Sequence, residues 1–300
     1  MSGTKAQFEA FLEEEIQLAK GVSFPVKTGF VRRMLTRKAE CTSLHPNPDD
    51  EFCKPGVGPN YKIISEYQQQ FLNYEKISQK YDVEPLVVER MHPSGYRIIN
   101  GHHRWAAALQ IGESELPIRI VNLMHEEDLR KILENSTHTK RAVLDLDEVI
   151  IRTEETGPLE KPLSFPWNRL YSERIRLGVP ALFHFLAIHG YDIWLYSAKY
   201  YYIDTIQNYF RRYHVEIAGI MTAVEKRQKE ADEIGKKLGE LIKNKYLYTI
   251  HIDNDSVIQI FSVAKTFREF PLSGDPETWS QEIMDVVEAL EKPEEGKTEP

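Results

Sequence analysis

The chain has 300 residues, a formal net charge of -8, 28% charged and 41% hydrophobic residues, which accommodates about two globular domains and argues against a general nucleic-acid coat. Two cysteines, Cys41 and Cys53, are too few for a disulfide framework and lack a metal-finger spacing, so a reduced, cytoplasmic setting is expected. No apolar run is long enough to span a bilayer, and Glu13-Glu14-Glu15 interrupts the N-terminal stretch where a signal peptide would lie.

Residues Lys5 to Lys20 predict an amphipathic helix, with Phe8, Phe11, Leu12, Ile16 and Ala19 at helical spacing. Phe30 to Leu35 reads as a short strand made basic by Arg32, Arg33, Arg37 and Lys38. Leu44 to Asn60 holds four prolines and two glycines and reads as a loop. It carries His45, the acids Asp49-Asp50-Glu51 and Cys53. A helix is predicted from Tyr61 to about Lys80. Pro85 to Glu89 and Tyr96 to Ile99 form a β-hairpin around His92-Pro93-Ser94-Gly95. The hairpin delivers the chain to Asn100-Gly101-His102-His103-Arg104, with a helix expected from Trp105. Gly101 permits a tight strand-to-helix turn, the first helix amides favour an anion, and Arg104 can fork onto a phosphate or carboxylate. His102 and His103 can donate, accept or transfer protons. A strand at Leu116 to Leu123 and a helix at Glu126 to Asn135 are expected to close the first domain, with the boundary at Ser136 to Arg141.

This half resembles the ParB/sulfiredoxin-like fold over roughly Glu40 to Leu123: a strand pair ends at a Gly-X-His/Arg-Arg turn before an Ala-rich helix. Within that family, Asn-Gly-His-His-Arg is most similar to the nucleotide-dependent free serine kinases. The resemblance implies ATP or ADP as cofactor. Arg104 and the turn amides would hold nucleotide phosphates, His102 and His103 would orient the transferred phosphoryl group, and Asp49, Asp50 or Glu51 would act as base or metal ligand.

The second half is organised around Ala142 to Ile151. The apolar run Ala142-Val143-Leu144 reads as a strand that ends in Asp145-Leu146-Asp147, where an open α/β sheet places its ligands. Two carboxylates one residue apart repel unless a cation or a shared proton relieves them, and an oxygen-rich site of this kind suits Mg²⁺. Arg152 to Ser164 reads as a loop or β-flap and Pro180 to His189 as a helix. Tyr191 to Ser197 is a buried strand ending in a hydroxyl. A helix over Tyr200 to Tyr213, a strand over Val215 to Met221 and a lysine-rich helix over Glu225 to Lys243 follow. Tyr248 to Asp255 is an apolar strand ending in acids, Phe267 to Phe270 a last strand and Trp279 to Leu290 a closing helix. Strands alternating with helices predict a parallel sheet covered on both faces. The ends of three of its strands would bring Asp145, Ser197 and Asp253 together.

That constellation resembles the haloacid dehalogenase superfamily over roughly Arg141 to Glu291. Its first motif, Asp-X-Asp-X-Thr/Val, is Asp145-Leu146-Asp147-Glu148-Val149; its second is Ser197; its fourth is Asp253, with Asp255 as a second acid. Its third, a lysine, falls among Lys226, Lys236 and Lys237. The resemblance implies that Asp145 attacks phosphorus, that Asp147 protonates the leaving oxygen and then activates water, that Ser197 and the lysine bind phosphoryl oxygens, and that Mg²⁺ is held by Asp145, Asp253 and the backbone carbonyl of Asp147, with Asp255 as the alternative acid. Asn254 departs from the adjacent acids of many relatives.

The expected architecture is therefore α/β: a small mixed α+β ParB/sulfiredoxin-like domain (1–139), a Rossmann-like domain with a parallel sheet and a minimal cap (140–292), and a disordered tail (293–300). The expected activity is phosphatase chemistry on a phosphorylated small molecule or nucleotide, without membrane or nucleic-acid partners. The alternative is a nucleotide-sensing or DNA-binding regulator whose second domain is inert.

Overall fold

The computed structural model describes residues 5–19, 23–77, 83–222, 233–262, 264 and 266–292. The chain divides into two compact units, Met1–Leu123 and Met124–Pro300.

In the first unit, helix α1 (Lys5–Ala19) is followed by β1 (Phe24–Pro25), α2 (Phe30–Leu35), β2 (Lys38–Glu40) and β3 (Leu44–His45). Helix α3 (Tyr61–Ile77), the hairpin β4 (Leu86–His92) and β5 (Tyr96–Asn100), helix α4 (His102–Ile111) and β6 (Glu115–Ile120) complete it. The sheet order is β2-β6-β4-β5-β3, with β1 paired to the end of β4. Strand pairs β4–β6 and β3–β5 run parallel and the others antiparallel. Phe8 and Leu12 from α1, Ile64 and Phe71 from α3, and Trp105 to Ala108 from α4 are buried against Leu86, Val88, Ile98 and Ile118. The three alanines let α4 approach the sheet closely, and the Trp105 indole N–H donates to the Cys41 carbonyl at 3.2 Å.

One short element differs from its predicted state. Phe30–Leu35 is helical, not a strand. The Arg33 amide closes a turn onto the Gly29 carbonyl, and its buried guanidinium donates back to the Thr28 carbonyl at 2.9 Å. A six-residue segment, here with two arginines between apolar residues, cannot by itself distinguish strand from helix, and these local bonds decide it.

The second unit opens with α5 (Glu126–Asn135), followed by β7 (Lys140–Asp145), one wide helical turn at Leu146–Ile150, and the ribbon β8 (Ile151–Arg152) with β9 (Arg174–Ile175). The short helix α6 (Trp167–Leu170) lies in the segment that joins the ribbon strands. Next come α7 (Val179–Ile188), β10 (Tyr191–Ser197), α8 (Ile203–Arg211) and β11 (Gly219–Thr222). The chain ends with α9 (Glu233–Lys245), β12 (Tyr248–Ile252), β13 (Ser256–Phe261), β14 (Phe267–Pro271) and α10 (Trp279–Glu291). The sheet order is β11-β10-β7-β12-β13-β14. Its first four strands are parallel, as predicted, whereas β13 and β14 add antiparallel strands at one edge. Strand β13 was not predicted. The acids before it, read as a strand end, form the tight turn of a β12–β13 hairpin, where the Asp253 amide donates to the Ser256 carbonyl at 2.9 Å.

Side chains alternate across β7. Ala142 and Leu144 pack with α7, α8 and α10, while Val143 faces α5, Ile242 of α9 and Tyr246. Helix α5, predicted to close the first domain, therefore contributes Leu129 and Leu133 to a core of the second unit. The predicted boundary at 139/140 lies beyond the division at Leu123. The start of the predicted lysine-rich helix and the tail 293–300 lie outside the described residues.

Candidate functional site

Strand β7 lies between β10 and β12 in the second unit. The register sets Tyr196 beside Asp145 on one side and Ile252 beside Leu144 on the other. Ser197 and Asp253 are the next residues along those flanking strands. All three chemistry-bearing positions consequently stand at the C-terminal end of the parallel sheet.

The wide turn after β7 shapes the centre. Asp145 Oδ1 accepts the amides of Asp147 and Glu148, both at 2.7 Å. These two bonds fix the carboxylate at the strand end and leave Oδ2 as its second oxygen. Asp147 turns toward β10. The Ser197 hydroxyl donates to Asp147 Oδ2 at 2.6 Å, the Tyr201 hydroxyl to Oδ1 at 2.7 Å, and Lys199 Nζ stands 3.0 Å from Oδ1. Burial pushes the Asp147 carboxyl upward, but the Ser197, Tyr201 and Lys199 bonds outweigh it and hold the group below the ordinary carboxylate value. Burial and the Asp147 bond push the Tyr201 phenol up. Ser197, 1% exposed, also accepts the Lys199 amide at 2.9 Å.

On the β12 side, Asp253 Oδ1 accepts the Asn254 amide at 2.7 Å, and its carbonyl accepts the Trp279 indole N–H at 2.8 Å. Asp255 is exposed, with its carbonyl bonded to the Leu272 amide. Of the predicted metal ligands, Asp145 and Asp253 stand at the ends of neighbouring strands, the Asp147 carboxylate is bonded toward β10, and Asp255 is exposed in the β12–β13 turn. Among the described residues no group of three or more His, Cys, Asp or Glu side chains is gathered to hold a metal ion. Lys236 and Lys237 lie on α9, and Lys226 falls outside the described residues. Among the described residues, Lys199, two positions after Ser197, stands against Asp147; neither it nor Tyr201 is among the residues the sequence singles out.

Asn254 has a structural task. Its side-chain oxygen accepts from Arg176 Nη1 at 2.9 Å and from Arg152, and its amide group donates to the Glu148 carbonyl at 3.3 Å. One side chain thereby ties the β12–β13 turn to the turn after β7 and to the β8–β9 ribbon. The Arg176 guanidinium stacks 4.0 Å over the Trp279 ring. Burial and the neighbouring Arg152 charge hold Arg176 down to about 10.

In the first unit, Gly101 takes the left-handed conformation, φ 107°, at the start of α4. A Cβ there would meet the Leu86 side chain at 3.0 Å, so the turn requires glycine. The helix begins at His102 rather than at Trp105. Asn100 ends β5 at a bulge opposite Val87. His102 Nε2 accepts the Asn47 amide at 3.1 Å, and His103 Nε2 accepts the Asn60 amide at 3.1 Å. An acceptor Nε2 places the proton of a neutral ring on Nδ1. For His102 that nitrogen lies 3.4 Å from Asp50 Oδ2. Phe52 stacks on the His102 ring and meets His103 edge-on. The histidines thus hold the proline-rich loop against α4. Of the predicted acids, Asp50 stands 3.4 Å from His102, and Asp49 and Glu51 are exposed.

Arg104 is not held out toward a ligand. It is 4% exposed; its guanidinium donates to the Glu84 carbonyl, stands 3.4 Å from the Pro85 carbonyl and pairs with the Glu84 carboxylate at 3.3 Å. The predicted phosphate fork is instead a staple between α4 and the start of β4, because the first helical turn directs this side chain back over the strand.

The site and fold define two α/β units: one built around a glycine turn under a pinned loop, the other around carboxylates at the end of a parallel sheet. Residues 67–137 match the ParB N-terminal domain family. The match covers the Gly101-His102-His103-Arg104 turn and supports the ParB/sulfiredoxin-like reading of the first half. No curated protein matches the sequence. No helix among the described residues is long and apolar enough to cross a membrane.

Proposed function

We propose that the second unit is a Mg²⁺-dependent phosphohydrolase acting through an aspartyl-phosphate, and that the first unit binds a nucleotide in a regulatory role. The observation that carries the first part is the convergence of Asp145, Ser197 and Asp253 at the ends of three adjacent parallel strands, with Asp147 bonded to Ser197 at 2.6 Å. The resemblance of Asp145-Leu146-Asp147 to the first haloacid dehalogenase motif adds to it.

In this reading Asp145 Oδ2 attacks phosphorus while Oδ1 stays on the two amides. The P–O bond to the leaving group breaks, and Asp147 in its acid form gives that oxygen its proton. Water then attacks the aspartyl-phosphate, Asp147 accepts the water's proton, and phosphate leaves with the Asp145 carboxylate restored. The resting Asp147 is ionised, so it must take up a proton and exchange its present partners before the first step. Ser197 and Lys199 are placed to meet phosphoryl oxygens when Asp147 does so. Asp145 and Asp253 fit Mg²⁺, which binds through one or two carboxylates together with phosphate oxygens and water. Bound there, the ion would offset the repulsion between phosphate and carboxylates. The Asp147 carboxylate, held by Ser197, Tyr201 and Lys199, falls outside that set.

For the first unit, the engaged side chains of His102, His103 and Arg104 favour nucleotide sensing over phosphoryl transfer. The test is phosphate release by the full-length protein from a panel of phosphomonoesters and nucleotides, with and without Mg²⁺, alongside calorimetric titration of ATP and ADP. The expected result is Mg²⁺-dependent release that Asp145→Asn abolishes, and nucleotide binding that persists in Asp145→Asn but weakens in His103→Ala. Release unaffected by Asp145→Asn would refute the phosphohydrolase assignment.

A further inference from the structure

The β8–β9 ribbon carries an excess of cationic charge that nothing in the proposed chemistry uses. Arg152 and Arg174 are direct cross-strand partners, and Arg176 follows two positions later. Like charges placed opposite one another on a ribbon destabilise it. Protein ribbons relieve this with carboxylates, yet among the described residues no carboxylate lies within ion-pair distance of any of the three. Arg152 and Arg176 instead converge on one neutral acceptor, Asn254 Oδ1. Arg174 donates to the Glu160 carbonyl at 2.6 Å, and its buried Nε has no hydrogen-bond partner.

The placement of this charge matters as much as its amount. Asn254 follows Asp253 directly and contacts the Glu148 carbonyl, while the Glu148 amide is bonded to Asp145. Arg176 rests on Trp279, whose indole N–H is bonded to the Asp253 carbonyl. The guanidinium pair is therefore wired to the turns that carry both Asp145 and Asp253. Arg176 is buried and Arg152 is half-buried, the more accessible of the two.

We infer that Arg152, backed by Arg176, forms a subsite for a second oxyanion on the substrate, a carboxylate or a second phosphate borne by the same phosphomonoester. This inference rests on the phosphohydrolase reading for the position of the first phosphate. An ionised second group would give the two guanidiniums the counter-charge the ribbon lacks, and Arg suits planar two-point recognition of such groups. Asn254 is then the residue that sets both guanidiniums in place. An aspartate at that position would itself supply the counter-charge and occupy the pair.

The test uses full-length protein with Mg²⁺ and three esters on one three-carbon frame: 3-phosphoglycerate, glycerol 1,3-bisphosphate and glycerol 3-phosphate. The expected result is a kcat/KM for one doubly anionic ester about tenfold or more above that for glycerol 3-phosphate, with Arg152→Gln lowering that ratio about tenfold. Arg152→Lys, which keeps the charge, should recover part of the ratio and shows that loss of fold is not the cause. The preferred ester distinguishes carboxylate from phosphate. Equal values for the three esters, or a ratio unmoved by Arg152→Gln, would overturn the subsite and leave the phosphohydrolase reading standing. Absence of turnover on every ester would remove the phosphohydrolase reading. Calorimetric titration of the same compounds then decides the subsite alone: tighter binding of a doubly anionic compound, weakened in Arg152→Gln, supports it, and equal binding overturns it.

Discussion

At the scale of single residues, partners decide what a motif side chain does. Asp147 and Ser197 were legible as site residues, but Lys199 and Tyr201 were not, because they lie beyond the end of a strand some fifty residues downstream of Asp147 and carry no motif of their own. Arg104 shows the converse: residue type suggested a phosphate fork, and the first helical turn directed it onto the Glu84 and Pro85 carbonyls. His251, never singled out, carries a pH-dependent contribution. Burial, and then the Arg141 charge, hold its imidazole down to about 4. The folded state therefore binds fewer protons than the unfolded chain between that value and the ordinary histidine value of about 6.5. Stability from this group is complete above about 6.5 and is lost as pH falls toward 4. Urea midpoints measured across that range should fall on acidification in wild type, with a shallower fall in His251→Gln; an identical slope in the variant would assign the dependence to other groups.

At the scale of elements, the period of apolar residues located most helices and the strands β7, β10 and β12, since each buries a continuous face. Elements whose identity rests on turns were harder to read. Strand β13 was missed because two acids flanking an asparagine, Asp253-Asn254-Asp255, resemble a ligand-bearing strand end as much as a hairpin turn. Helix α2 was misread because its six residues span less than two helical periods, too few for a repeating face. Strand β11 was located but not the reason it packs: Gly219 lies beside Trp194 in register, and a Cβ there would stand 2.4 Å from the indole ring. Trp194 is fully buried between the sheet and α5, with its N–H on the Tyr246 hydroxyl at 3.2 Å. Gly219→Ala should cost about 2–3 kcal/mol by overpacking, read as a lower denaturant midpoint at unchanged slope. A variant as stable as wild type would mean that the indole can shift.

At the scale of the whole molecule, the two-domain organisation followed from two separate motif centres, but the division between them did not. Helix α5 opens with a reciprocal cap, His125 with Asp128, and three acids in its first turn, so its start is written locally. Nothing local says which core receives Leu129 and Leu133. The ParB N-terminal match runs to residue 137 and includes this helix, whereas its apolar face packs with Val143, Trp194 and Ile242. Sequence continuity with one half and packing with the other are compatible, because a family match follows residue pattern and a core follows buried area. The consequence is specific. A fragment beginning at residue 140 would expose the side of the sheet that Met124, Leu129 and Leu133 cover, whereas one beginning at Met124 would keep it. Burial of each such side chain is worth about 1.5–3 kcal/mol, enough for three of them to exceed much of a small domain's stability. Fragment 124–292 should therefore unfold cooperatively on heating. Fragment 140–292 should melt at least several degrees lower or bind a dye for exposed apolar surface. Equal melting of the two would show that α5 adds nothing to the second unit and would return the boundary to 139/140.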